Sequence, residues 1–342
     1  MSEAKNPEIP PPPKISRRKF LRVAAGSAIG ILAASAGSIA GREALKKLKK
    51  PENEKPKAQA PPDQPQTTPR IDRIPSVTST PTRTPEIIKA QTKYNFGEDV
   101  PEDLRAQIRE AVSTGIGFIK AKTGVDLEGT TVYAYGDGGK LVDEFLKTNP
   151  QAAPQREDLK NFATAFAGPK KDFYIITTSP GWTRASPIIG GPVLEGRYHT
   201  VYHELFHVLQ YEVGGYFRPP FGWLNEGGAH YVAARALDET EKYKYEDIKN
   251  GHLKRASVSQ DSLVKLENQS ALSNVDNYSR SFMAVELLTM GMPDGGIAAL
   301  ARYWTEVGKG QNPEIAFSRV FGIPKDEFYR KFDAWAKEGF PK

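Results

Sequence analysis

The chain has 342 residues, 39% of them hydrophobic and 10% aromatic, with a net charge of +6 and no cysteine. That length accommodates one or two domains, and the missing thiols exclude a disulfide framework, a cysteine zinc ribbon and a cysteine nucleophile, so any metal site must use histidine and carboxylate. The charge does not indicate a nucleic-acid groove once it is located: residues 1–50 hold eleven Lys/Arg against three acids, whereas residues 86–342 hold 31 bases against 34 acids. Basic charge confined to one end argues for targeting or membrane contact.

The first segment, residues 1–40, contains Ser16-Arg17-Arg18-Lys19-Phe20-Leu21-Arg22, followed by a weakly apolar run from Val23 to Ala40 rich in Ala, Gly and Ser. This order resembles a twin-arginine export signal, with Ala34-Ser35-Ala36 and Ser38-Ile39-Ala40 as small-x-small cleavage candidates. The resemblance implies export through the twin-arginine machinery, a route that carries folded proteins, and an extracytoplasmic location. An uncleaved N-terminal membrane anchor is the alternative, since 18 residues lie near the lower limit for a spanning helix. Residues 41–85 begin basic and become crowded with Pro, Thr, Gln and charge. Such a stretch buries too little apolar surface to offset its chain entropy and is expected to be a linker.

From residue 86 the composition becomes that of a folded region. Leu104, Ile108, Ala111, Val112, Ile116 and Ile119 repeat at helical spacing and predict a helix over 101–123. Thr130–Tyr135 alternates and predicts a strand. Asp137-Gly138-Gly139-Lys140 lacks the G-x-x-x-x-G-K order of a phosphate loop and is read as a turn. Leu141–Leu146 predicts a short helix, Asp172–Thr178 a second strand, and the Gly- and Pro-rich residues 179–196 a loop or irregular strand bordering a cleft. Beyond 197 the pattern is helical, over 197–214, 223–237, 241–256, 277–290, 295–307, 312–321 and 325–338. The expected fold class is α+β. A small mixed α/β part with a short sheet (86–210) is followed by a mainly helical part (211–342), with the helix over 197–214 at their junction.

His203-Glu204-Leu205-Phe206-His207 interrupts an otherwise apolar helical stretch. Residues four apart on a helix lie about 40° from one another around the axis, so both imidazoles face one way and can bind one metal ion. Glu204, beside the first histidine, can hold a water at that metal. After eighteen intervening residues His207 is followed by Glu226, within Trp223-Leu224-Asn225-Glu226-Gly227-Gly228-Ala229-His230. H-E-x-x-H-x18-E with an Asn-Glu-Gly context resembles the gluzincin metallopeptidases, nearest to the aminopeptidase N type, tightly over about residues 197–236. The resemblance implies a zincin-like fold and one zinc ion held by His203, His207 and Glu226, with a fourth position left open. It also implies peptide-bond hydrolysis with Glu204 as general base, and a tyrosine donor to the oxyanion for which Tyr278, at a helix start, is the candidate. A peptide or protein would be the substrate.

Other residues near the motif are ambiguous. His230 departs from the aspartate found there in thermolysin-like relatives and stands as a ligand-supporting residue, a substrate contact or a plain helix residue. Asn225 is either a turn or substrate residue or the N-cap of the Glu226 helix. His199 is expected at the surface or behind the ligands, and His252 exposed. The G-x-M-x-N element that binds a substrate's amino terminus in aminopeptidase N is missing upstream of His203, so endopeptidase and aminopeptidase both remain open. Two further alternatives share the motif: a non-catalytic cell-surface binding protein on a peptidase-like scaffold, which has no use for Glu204, and a zinc hydrolase acting on a non-peptide amide. Two histidines and a glutamate would also accept other divalent metals.

Overall fold

The computed structural model describes residues 91–341, apart from 163, 169, 170, 185–191, 216–219 and 273. The export segment at 1–40 and the linker at 41–85 lie outside the described residues. Among the described residues no helix is long and apolar enough to cross a membrane.

The α+β class is observed: a four-stranded sheet is followed by a helical part. Strands β1 (Lys93–Phe96), β2 (Thr131–Tyr135), β3 (Ala165–Gly168) and β4 (Asp172–Ile176) lie in the order β1-β2-β4-β3. β1, β2 and β4 are mutually parallel, while β3 runs antiparallel to β4 at one edge, with Ala167 opposite Phe173. Helix α1 (Glu102–Thr123) makes the crossover from β1 to β2, which parallel pairing requires.

The sheet separates two apolar clusters, and the two-residue period of the strands assigns side chains to each. Phe173 and Ile175 of β4, Val132 and Ala134 of β2, and Ala165 and Ala167 of β3 enter the main core. Tyr174, Ile176 and Phe166 point the other way. There they meet Leu141, Val142 and Phe145 of α2 (Gly138–Thr148) and Leu159 of α3 (Arg156–Phe162). β4 is buried on both faces, which explains why its sequence is continuously apolar and therefore legible.

β1 and β3 are not predicted from the sequence, nor is α3. β3 reads Ala-Phe-Ala-Gly, a composition with little intrinsic strand preference, and it is extended because β4 offers it a ladder. The Asp137 turn is also a helix cap, since its carboxylate accepts hydrogen bonds from Gly139 N (2.7 Å) and Lys140 N (3.3 Å). In the expected loop 179–196, Pro180–Thr183 forms one helical turn, α4, and the next helix already begins at Val193.

The helical part is assembled on α5 (Val193–Gly214) and α6 (Gly222–Glu239). It continues through α7 (Tyr245–Ala256), α8 (Leu263–Leu266), α9 (Val275–Thr289), α10 (Ile297–Gly308), α11 (Pro313–Phe321) and α12 (Lys325–Lys337). α6 packs against α5 and α9, while α1 and α10 also pack on α5. Helix α5 thus lies between the sheet and the helical layer, and almost all of its residues from Tyr198 to Gln210 are buried.

Where α10 ends, Gly308 sits on the end of α5 so closely that a Cβ there would lie 2.1 Å from Val213 O and 2.8 Å from Gly214 Cα. Backbone cannot yield as a flexible side chain would. Gly308→Ala should therefore destabilise the fold by about 1–3 kcal/mol, the usual cost of overpacking, read as a lower midpoint in thermal or urea denaturation. An unchanged midpoint would show that the two helix ends separate freely.

Candidate metal centre

One face of α5 presents His199, His203, Glu204, His207 and Gln210. α6 contributes Asn225, Glu226 and His230 from the facing side. Glu226 does not open its helix, as the sequence suggests. The helix begins at Gly222 after Phe221, and Glu226 lies one turn in. For the same reason Asn225 is not an N-cap: its side-chain amide donates to Glu226 Oε1 at 3.0 Å, leaving Oε2 directed at the histidines.

His203 Nε2 and His207 Nε2 are 3.1 Å apart, and each is 3.5 Å from Glu226 Oε2. A tetrahedral ion with bonds of about 2.0–2.1 Å has ligand-to-ligand edges of about 3.3–3.4 Å. The triangle drawn by these three atoms therefore matches one face of such a tetrahedron. All three residues are buried, and among the described residues they form the only such group whose donor atoms converge. Their chemistry, two imidazoles and a carboxylate, suits a divalent ion.

Gln210 was not singled out from the sequence. Its Oε1 lies 2.6 Å from His207 Nδ1, and its Nε2 donates to Asn225 O at 3.2 Å. The second bond fixes the amide, so the oxygen faces His207 and Nδ1 must be the protonated nitrogen, which leaves the Nε2 lone pair for a metal. The signal was present: Gln210 is a polar residue one turn beyond His207 on an apolar helix.

Glu204 is held from the sheet. Ala167 N of β3 donates to Glu204 Oε2 at 3.0 Å, while Oε1 is 4.0 Å from His203 Nε2. Burial raises the Glu204 pKa above the usual carboxylate range, against the opposing pull of His203 and His207. For Glu226 burial also acts upward, but His207 and His203 dominate and bring it to about 2. His207 moves the other way. Burial would lower it, yet the Glu226 carboxylate raises it to about 9. The metal-free site is thus a buried His–Glu ion pair, stable because neither charge is left alone.

All five histidines of the chain gather here. His199 is buried and stacks on His230 with ring centroids 5.2 Å apart; the His230 ring lies 4.3 Å from that of His203. Burial, reinforced by neighbouring imidazoles, holds His199 and His230 far below the ordinary histidine value, hence neutral. His252 corrects the expectation of exposure: it is fully buried, stacked on Phe282 at 4.0 Å, with Nδ1 3.1 Å from Ser279 Oγ. It belongs to the stripe Ile248, His252, Ala256 along the buried face of α7, where the polar residues around it masked the four-residue period. Tyr278 meets the edge of His230 at 5.2 Å, one ring removed from His203.

Gly227 brings α9 close enough for this contact. A Cβ at Gly227 would lie 2.4 Å from Ser281 O and 2.6 Å from Ser281 C. The glycine after Glu226 is therefore a packing requirement, since only hydrogen fits between α6 and α9. Comparison with known protein families, curated proteins and solved structures found no match to this chain.

Two outcomes are expected. Gly227→Ala should lower stability by about 1–3 kcal/mol and displace Tyr278 from His230, detectable as a changed His230 ring resonance; an unaltered spectrum and melt would refute the packing constraint. His252, with an unfolded value near 6.5 and a folded value of about 3, favours the fold while neutral. Its stabilising effect is complete above pH 6.5 and is lost as pH falls toward 3, at about 1.4 kcal/mol per pH unit. Denaturation of the metal-free protein at pH 7, 6 and 5 should show stability falling with acidification, a slope to which the buried His199 and His230 also contribute, and it should be smaller by one proton in His252→Gln. An identical slope in the variant would mean that the wild-type imidazole titrates normally.

Proposed function

We propose that this protein is a zinc-dependent metallohydrolase that cleaves peptide bonds, with His203, His207 and Glu226 holding the ion and Glu204 acting as general base. The observation that carries the reading is the triangle of 3.1, 3.5 and 3.5 Å between the three donor atoms, together with a glutamate one residue along the same helix. A zinc ion held there would supply the Lewis acidity that polarises a carbonyl and acidifies a water.

The chain's own residues supply the remainder. Glu204 has one oxygen bound by the Ala167 amide and the other turned toward the histidines, so its free oxygen can take a proton from an attacking water and pass it to a leaving amine. Tyr278, at the edge of His230, is the candidate donor to the oxyanion.

The sheet edge favours a peptide over another amide. Ile176 N bonds to Thr164 O, and the alternation of an antiparallel ladder then turns the backbone groups of Ala165 and Ala167 outward. Ala167 N is taken by Glu204, and the remaining groups can pair with an extended chain laid along β3. The Arg17-Arg18 segment supports export, so that hydrolysis would take place outside the cytoplasm.

Metal content and cleavage of casein or a peptide library, measured on the full-length protein beside Glu204→Gln, test the reading. One zinc per chain is expected in both, with turnover lower by about 10²–10⁴-fold in the variant. Tyr278→Phe should retain zinc and lose about 10²-fold. Absence of zinc from the wild type would end the proposal, and zinc without peptide cleavage would redirect it to a non-peptide amide.

A further inference from the structure

Each metal-binding imidazole must keep a proton on the nitrogen that faces away from the ion, and a buried N–H needs an acceptor. For His207 that acceptor is Gln210. For His203 no such bond is found among the described residues: its Nδ1 is buried and has no hydrogen-bond partner there. Three other buried ring nitrogens have no partner among the described residues: His199 Nε2, His230 Nδ1 and His252 Nε2. The His230 ring lies against His203 at 4.3 Å with a 56° tilt, closer than His199 at 6.2 Å. Among the described residues no carboxylate other than Glu204 and Glu226 forms an ion-pair contact with His203, and both of these meet Nε2.

His203 Nδ1–H is a donor seeking an acceptor, and a neutral imidazole at the nearer ring, His230, has one to offer. Resting on the metal reading above, we propose that His230 is the positioning residue of His203. Its Nδ1 receives the His203 Nδ1–H through one bridging water, and so fixes the tautomer that presents Nε2 to the ion. A neutral imidazole thereby stands where a carboxylate commonly orients a metal-binding histidine. The two ligands on α5 are then oriented from both sides without adding a negative charge: His207 by an amide and His203 by an imidazole. Glu226 remains the one anionic ligand of the three.

The test uses the geometry of substitution. In His230→Asn the side-chain oxygen can occupy the place of Nδ1, whereas His230→Gln carries its polar group to the place of Nε2, and His230→Phe keeps a ring without an acceptor. Zinc affinity of the full-length protein is measured by chelator competition, with the absorption spectrum of the cobalt-substituted form and the melting of the metal-free form as companions. His230→Phe and His230→Gln should bind zinc about 10–100-fold more weakly, with altered cobalt bands, while His230→Asn stays within about threefold of wild type. Equal zinc affinity in all four proteins would overturn the inference and leave the metal centre standing. Asn as weak as Phe, with metal-free melting unchanged, would also overturn it by showing that ring shape matters and the acceptor does not. A wild type that binds no zinc would remove the metal centre and this inference together.

Discussion

A carboxylate exposed by only 1% among imidazoles is the constraint on which this structure turns. Glu226 has left water almost completely, and an isolated buried anion costs several kcal/mol even after the protein relaxes around it. Its compensation comes from another helix: two histidines one turn apart on α5, each 3.5 Å from the same oxygen. Helices α5 and α6 therefore cannot be treated as independent apolar surfaces pressed together. Their register is tied to the position of a charge, and a slip of one residue on either helix would strand it.

Much of the surrounding architecture maintains that register. The sheet supports α5 from one side and supplies the Ala167 amide to Glu204. Gly227 lets α9 approach α6 to backbone contact, which carries Tyr278 to the edge of His230. Asn225 takes one oxygen of Glu226 and its own carbonyl receives Gln210, so two adjacent residues of α6 are linked through one amide to His207 on α5. The polar groups form a chain in which each member fixes the orientation of the next, the arrangement that makes buried polar networks specific.

How much of this could be read beforehand depended on periodicity. α1, β2 and β4, with apolar residues at regular three-to-four or two-residue spacing, were legible within a few residues. β3 was not, because Ala-Phe-Ala-Gly becomes a strand only when β4 stands beside it, and β3 happens to be the element that holds Glu204. The convergence of His203, His207 and Glu226 followed from residue spacing and motif context. The roles of their neighbours did not, since Gln210, His230 and His252 depend on which helix packs where. His252 is instructive: its stripe on α7 has the right period, but Asn250, Gly251, Lys254 and Arg255 around it concealed a residue that is entirely buried.

The gathering of every histidine into one interior cluster also determines what is left outside. The chain has no cysteine and no sixth histidine, so apart from its amino terminus the exterior carries only carboxylates, lysines, arginines and tyrosines, whose ordinary ionisation lies well below or well above neutrality. Between about pH 5 and 8 the outer charge is therefore nearly constant. Acidification within that range would leave the surface that meets solvent with the same electrostatic character throughout.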